Sequence, residues 1–238
     1  LVQPLEGNAA ILHGGPFASI AQGTNSVIAT KTGLSLAEYV VTEAGFGADL
    51  GAEKFFHIKC VQSQLKPDAV VIVATIRALK RHGGLLENEL KRPKVSAVKN
   101  GFSNLERHIE NIKKFGLHPV VCINAFPEDS QEEYETLIEL CANKNVKAVV
   151  CNAFLKGGKG AEDLAIEVIN SIKNNTLNFK TLYNLNDSLE SKIEIIAKEI
   201  YKANSVDYTP KAKNQLKSIK DLGFDKYAIC MAKTPASF

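Results

Sequence analysis

AVVIVATIRALKRHGG, residues 69–84, decides how the rest of the chain is read. Its first six residues are apolar without alternation, the mark of a strand covered on both faces, as in a parallel sheet. A cation-bearing, glycine-terminated segment follows at once. The same apolar signature recurs at residues 9–12, 39–41, 120–123, 148–151 and 228–232. Stripes of helical period lie among these runs. Leu105, Ile109 and Ile112 share a face, as do Tyr134, Leu137, Ile138 and Cys141, introduced by Ser130-Gln-Glu-Glu133, which spells a capping box. Leu164, Ala165, Val168 and Ile172 continue the pattern, then Leu189, Ile193, Ile196 and Ile200. A last helix starts at Thr209-Pro210 and stops at Gly223. Residues 85–100 are polar, contain Pro93, and read as a loop or weak helix. Alternation of this kind predicts an α/β fold.

Composition narrows the function classes. The 238 residues are 45% hydrophobic, and the formal net charge is only +3. No apolar run reaches the roughly 18 residues that span a membrane, and the lysines are scattered rather than clustered, which argues against a nucleic-acid partner. Cys60, Cys122, Cys141, Cys151 and Cys230 form no CxxC and no zinc-like spacing with histidine, so no metal site is expected. Dispersed thiols suit a reducing cytoplasm. There is no signal peptide. The chain opens on Leu1-Val2-Gln3 without an initiator methionine, and we expect it to be cut from something longer.

In open parallel sheets, ligands bind beyond the carboxyl ends of the strands. That zone is distinctive here. It holds His13-Gly14-Gly15-Pro16-Phe17, then Thr42 to Gly51 with Glu43, Phe46, Gly47 and Asp49, and Arg77, Lys80 and His82. Asn124-Ala125-Phe126-Pro127 and Asn152, Phe154, Lys156 and the glycines at 157, 158 and 160 complete it. Any one cluster also reads as turn glycines, core phenylalanine or a solvated cation. Their convergence is what points to a ligand. Phe126 and Phe154 sit beside Asn, Pro or Gly, where loops rather than cores are expected, and paired aromatic faces suit a flat heterocycle. Arg77, Lys80 and Lys156 are the phosphate or nucleotide candidates, whereas His57, His108 and His118 read as structural.

Residues 73–84 (VATIRALKRHGG) resemble a signature stretch of formate–tetrahydrofolate ligases. VTEAGFGADLGAEKF at 41–55, HGGPF at 13–17, INAFP at 123–127 and KGGKG at 156–160 are similarly family-like. The resemblance runs across essentially the whole chain. It implies a parallel-sheet, P-loop-NTPase-like α/β core with flanking helices, incomplete here, plus part of a second α/β domain. It further implies that ATP phosphorylates formate to formyl phosphate, and that N10 of tetrahydrofolate attacks this anhydride to give 10-formyltetrahydrofolate. Mg-ATP, formate and tetrahydrofolate are the implied substrates, with potassium or ammonium as activator and a cytoplasmic homotetramer as the assembly. Phe46, Phe126 and Phe154 match aromatic positions lining the family's folate pocket, and His13, Gly14, Gly15 and Gly47 would approach the anionic intermediate.

Two departures matter. The family carries tryptophan where this chain has Phe154, which keeps a stacking face but loses area and the indole N–H. No G-x-x-x-x-G-K-[ST] loop occurs, and Gly157-Gly158-Lys159-Gly160 lacks both its spacing and its hydroxyl. The family's other glycine-rich signature and its key catalytic arginine fall upstream. The chain alone is therefore expected to be inactive. The expected division gives residues 1–110 to the nucleotide and formyl-phosphate domain and 111–238 to a second domain bearing the aromatic pocket. Two other readings stand beside the ligase: a non-catalytic folate-binding or subunit-assembly fragment, and a P-loop ATPase of the partitioning or metal-insertion type. Nothing in the last class demands three such phenylalanines.

Overall fold

The structure, a computed structural model, describes residues 1–12, 23–176 and 178–232. In chain order its helices are α1 (Val27–Leu36), α2 (Val61–Ser63), α3 (Ile76–His82), α4 (Val95–Lys114), α5 (Gln131–Ala142), α6 (Ala153–Lys156), α7 (Glu162–Asn174), α8 (Leu189–Ile195) and α9 (Pro210–Asp221). The strands are β1 (Val70–Ala74), β2 (Pro119–Asn124) and β3 (Ala148–Cys151). Contacts divide the chain into two compact units. The first comprises Leu1–Pro4, Ala9–Lys66 and Lys180–Phe238, and the second Leu5–Asn8 and Pro67–Phe179. These boundaries differ from a division at 110/111, which runs through α4.

The second unit holds the sheet. Its order is β1-β2-β3, both pairings are parallel, and Val70 pairs with Pro119 and Val121 with Ala148. Central β2 is buried up to its last residue, as an unalternating apolar run requires. Edge strand β1 departs from that expectation. Ile72 and Ala74 are buried, but Val71 and Val73 on the opposite face are 39% and 65% exposed. Helix α4 packs on β1 and β2, α5 on α4 and β3, and α7 on β2 and β3. Leu105, Ile109, Ile112, Leu137 and Cys141 are buried as their spacing predicts. Ser130 and Glu133 form the expected reciprocal cap of α5, and Thr209 caps α9 with Pro210 in its first turn.

Residues 95–100, read as loop or weak helix, belong to α4. The reason is tertiary: Ala97, Val98 and Phe102 are buried, and packing outweighs weak local propensity.

In the first unit the runs at 9–12, 39–41 and 228–232 form no strand among the described residues. Only isolated bridges occur, Val2–Ala10 and Thr24–Ala44. The first unit is organised instead around buried polar groups. His57 Nε2 accepts from the Leu182 N–H (3.1 Å), so Nδ1 carries the proton that Glu53 Oε1 receives at 2.6 Å. The imidazole stacks on Tyr183 with centroids 4.2 Å apart, and the Tyr183 hydroxyl accepts from the Ile229 N–H (3.0 Å). These contacts tie residues 182, 183 and 229 to the helical segment 53–57, and His57 is structural, as expected.

The buried thiols set the response to alkali. Burial pushes Cys141 up to about 12, and burial together with the Cys151 thiol pushes Cys122 up to about 12. In the unfolded chain thiols ionise near pH 8.5. Stability from a raised folded value is complete below the unfolded value and is lost as pH climbs toward the folded one. The urea midpoint of the second unit is therefore expected to fall steadily from pH 9 to pH 11. A flat profile across that window would refute the assignment.

Candidate functional site

Three strand ends of the second unit carry the predicted residues. Beyond β1, Thr75 caps α3 by accepting from the Ala78 N–H (3.0 Å), and this turn places Arg77 at the surface. Arg77 and Arg81 both hold Glu87, which keeps the Glu87 carboxyl below its ordinary range, Arg77 contributing most. Lys80, three residues on, turns inward instead. Its ammonium is fully buried, pairs with Glu133 Oε1 at 3.1 Å and donates to the Arg92 carbonyl at 3.2 Å. Lys80 is thus engaged in a buried ion pair in this conformation.

Beyond β2, the Phe126 N–H donates to Asp129 Oδ2 (2.9 Å), and the Tyr134 hydroxyl donates to the same oxygen (3.1 Å). Burial raises the Asp129 carboxyl above its usual range despite those two donors. The turn so formed leaves Phe126 43% exposed. Beyond β3, Asn152 starts the single-turn α6, and its N–H donates to the Gly160 carbonyl (2.9 Å), closing the loop that carries Phe154 and Lys156. Phe154 is 82% exposed. Neighbouring strands lie about 4.8 Å apart, so two solvent-facing aromatic rings stand at adjacent strand ends. Phenylalanine is normally buried, and exposed apolar groups in clusters mark binding surfaces. Asn152 Oδ1 is buried with no hydrogen-bond partner among the described residues. A buried orphan acceptor beside exposed rings is what a ligand donor would satisfy.

In the first unit, Phe46 has φ 63° and is 61% exposed. A bulky residue in left-handed backbone is held there by its surroundings. The surroundings are tight. The Gly45 N–H donates to the Gly23 carbonyl (2.8 Å), and a Cβ on Gly51 would lie 1.9 Å from the Gly45 carbonyl oxygen. Gly47 opens the wide-turn helix Ala48–Ala52, its carbonyl accepting from Leu50 and Gly51. Glu43 is exposed, whereas Asp49 is buried and its carbonyl accepts from the Tyr201 hydroxyl (3.1 Å). His13, Gly14 and Gly15 lie outside the described residues.

A family model described as formate–tetrahydrofolate ligase matches residues 1–238. The chain belongs to the formate–tetrahydrofolate ligase family. It is 56% identical over 238 residues to the curated formate–tetrahydrofolate ligase of Pelagibacter ubique (strain HTCC1062). That match takes in 100% of this chain and 42% of the relative, so the chain spans about two fifths of the relative's length.

Sequence reasoning about the ligase passed over Lys59. It is fully buried and donates to the Asn25 carbonyl (3.0 Å), Asn25 Oδ1 (2.8 Å) and Thr30 Oγ1 (2.8 Å). Burial lowers its pKa to about 8. Asn25 in turn donates to Thr42 Oγ1, and Thr24 and Thr42 hydroxyls bond at 3.1 Å. The ammonium therefore braces the strap from Thr42 that leads to Phe46. Its signal in the sequence was faint, a single lysine among the apolar residues of 55–61. A cavity of about 250 Å³ beside His118, Lys147 and Ser171 lies at the amino ends of β2 and β3, opposite the aromatic pair.

Proposed function

We propose that this chain supplies the folate-side pocket of an ATP-dependent formate–tetrahydrofolate ligase. In this reading a formate oxygen attacks the γ-phosphorus of ATP and ADP leaves, giving formyl phosphate. The N10 amine of tetrahydrofolate then attacks the formyl carbon, the C–O bond to phosphate breaks, and N10 loses its proton. The products are 10-formyltetrahydrofolate, ADP and phosphate. The carrying observation is the exposure of Phe126 and Phe154 at adjacent strand ends, with Asn152 Oδ1 buried and unpartnered beside them. The two rings offer stacking faces to a pterin or purine, and Asn152 offers an acceptor to its N–H groups.

By the family resemblance, Phe46 is a further folate-side aromatic, and His13, Gly14, Gly15 and Gly47 are candidates for binding the anionic intermediate. Arg77 and Lys156, both exposed, suit the phosphates. Residues 1–110 serve the nucleotide and formyl-phosphate side, and 111–238 carry Phe126 and Phe154 of the aromatic pocket. Magnesium enters with ATP as substrate. Among the described residues no group of three or more His, Cys, Asp or Glu is placed to hold a metal. Potassium or ammonium activation and a cytoplasmic homotetramer belong to the same reading. No described helix is long and apolar enough to cross a membrane.

The test uses the full-length protein carrying this chain, supplied with formate, Mg-ATP and tetrahydrofolate. Formation of 10-formyltetrahydrofolate is expected, and Phe154→Ala should raise the KM for tetrahydrofolate roughly tenfold, the worth of one lost stacking face. Phe154→Trp should lower it by enlarging that face. Absence of product would leave a non-catalytic folate-binding or assembly role, which the same folate titration without ATP detects.

A further inference from the structure

The loop that presents Phe154 is short, and few hydrogen bonds close it. Helix α6 is one turn of four residues, far below the length at which a helix is stable alone. Its amino end is closed by the Asn152–Gly160 hydrogen bond. Its carboxyl end reaches Gly157, at φ 59° and ψ −147°, a conformation that side chains rarely adopt. What meets the backbone there is a carboxylate from the same compact unit. Glu6 Oε1 accepts from the Gly158 N–H at 2.7 Å. Both glycines are flush against that carboxylate. A Cβ on Gly157 would sit 2.6 Å from Glu6 Oε1, and one on Gly158 would sit 3.0 Å from Glu6 Oε2. A hydrogen bond to an ionised acceptor is stronger than a neutral one. The pair of glycines thus forms a concave backbone surface filled by the chain's own anion.

From this we infer that Glu6 is a positioning residue for tetrahydrofolate. Its carboxylate clasps the Gly157–Gly158 backbone and so fixes the loop whose Phe154 ring stacks on the folate. The inference rests on the proposed reading that Phe154 contacts folate. Glu6 itself touches no substrate, so its removal loosens the stacking ring and leaves the reacting atoms untouched.

The experiment compares Glu6→Ala, Glu6→Gln, Gly157→Ala and Phe154→Ala in the full-length protein. It records the KM for tetrahydrofolate, the KM for ATP, kcat, the thermal midpoint, and hydrogen exchange over residues 153–160. Glu6→Ala is expected to raise the tetrahydrofolate KM roughly tenfold, as small misplacements of binding groups do. The KM for ATP, kcat and the thermal midpoint should stay near wild type, while exchange across 153–160 speeds up. Glu6→Gln keeps an acceptor oxygen at the same reach and should restore most of the KM and the protection. Gly157→Ala, which pushes a methyl into the carboxylate and strains the backbone there, should reproduce the changes in tetrahydrofolate KM and in exchange, with a lowered thermal midpoint. If Phe154→Ala raises the tetrahydrofolate KM and Glu6→Ala does not, this inference fails and the folate reading survives. If Phe154→Ala leaves that KM unchanged, the folate reading fails and takes the inference with it. Equal losses in kcat and thermal midpoint for Glu6→Ala, unrescued by Glu6→Gln, would reduce Glu6 to a structural tie and overturn the inference.

Discussion

Glu133→Ala is expected to destabilise the second unit by about 3–5 kcal/mol, the cost of stranding one partner of a buried ion pair. Lys80 and Glu133 are both fully buried, with Nζ and Oε1 3.1 Å apart. The carboxylate is also the acceptor for the Lys94 N–H (2.8 Å), the Ser130 N–H (2.9 Å) and the Ser130 hydroxyl (3.1 Å). It therefore joins the start of α4, the start of α5 and the middle of α3. Removing it leaves the Lys80 ammonium in the core with the Arg92 carbonyl at 3.2 Å, and takes the acceptor from the part-buried Lys94 and Ser130 N–H groups. Lys80→Met should cost less, because the carboxylate keeps its neutral donors. Lys80→Met with Glu133→Leu should recover part of the loss, as apolar replacements of buried pairs do.

The acid response has a definite sign. Burial works against the charged Glu133, but the Lys94 and Ser130 N–H groups and the Lys80 ammonium outweigh it and hold the carboxyl below its ordinary range. A lowered folded value gives stability that is present above the unfolded value, about pH 4.3, and is lost as pH falls through the folded one. Urea unfolding followed by circular dichroism at pH 7 and pH 3.5 reads both effects. An unchanged midpoint for Glu133→Ala at pH 7 would show that the pair carries no stability.

Lys80 also marks a limit of reading from sequence. Within TIRALKRHGG it has the look of a phosphate-binding cation, and nothing local announces a buried carboxylate more than fifty residues later. Glu133 was legible as half of a capping box, through its spacing from Ser130, but its second task depends on how α3 and α5 meet. The sheet was legible for the opposite reason. Parallel strands covered by helices need no alternation, so β1, β2 and β3 appear as plain apolar runs. Residues 39–41 and 228–232 carry the same local pattern without a partner strand among the described residues, and a strand is defined by its neighbour. The exposed rings of Phe126 and Phe154 could be anticipated from the Asn, Pro and Gly around them. The orphan Asn152 Oδ1 and the Glu6 clasp could not, since both depend on contacts that sequence spacing does not encode.

Gly101→Ala is expected to destabilise the same unit by a net amount of about 2 kcal/mol, although alanine is the better helix former. Helix propensity alone favours alanine by about 1 kcal/mol. Against that, a Cβ on Gly101 would lie 1.9 Å from the Leu79 carbonyl oxygen and 2.8 Å from the Gly83 nitrogen. On the facing side a Cβ on Gly83 would lie 2.0 Å from the Ala97 carbonyl oxygen. Helices α3 and α4 thus cross backbone to backbone, with a glycine on each side and no flexible side chain to give way. To admit one methyl the helices must part by more than an ångström, which opens gaps around Ile76, Leu79 and Val98, all buried. Overpacking of that kind costs about 3 kcal/mol, and the steric penalty outweighs the propensity gain. Gly84→Ala separates sterics from backbone strain. Gly84 has φ 92° and nothing within 4 Å of a built Cβ, so only its conformation resists substitution, at about 1 kcal/mol. The expected order of stability is wild type, then Gly84→Ala, then Gly101→Ala, read from urea midpoints. Should Gly101→Ala match or exceed wild type, the crossing must be wider than the backbone contact described. Thr75, Arg77 and the end of β1 would then owe their placement to something other than this helix pair.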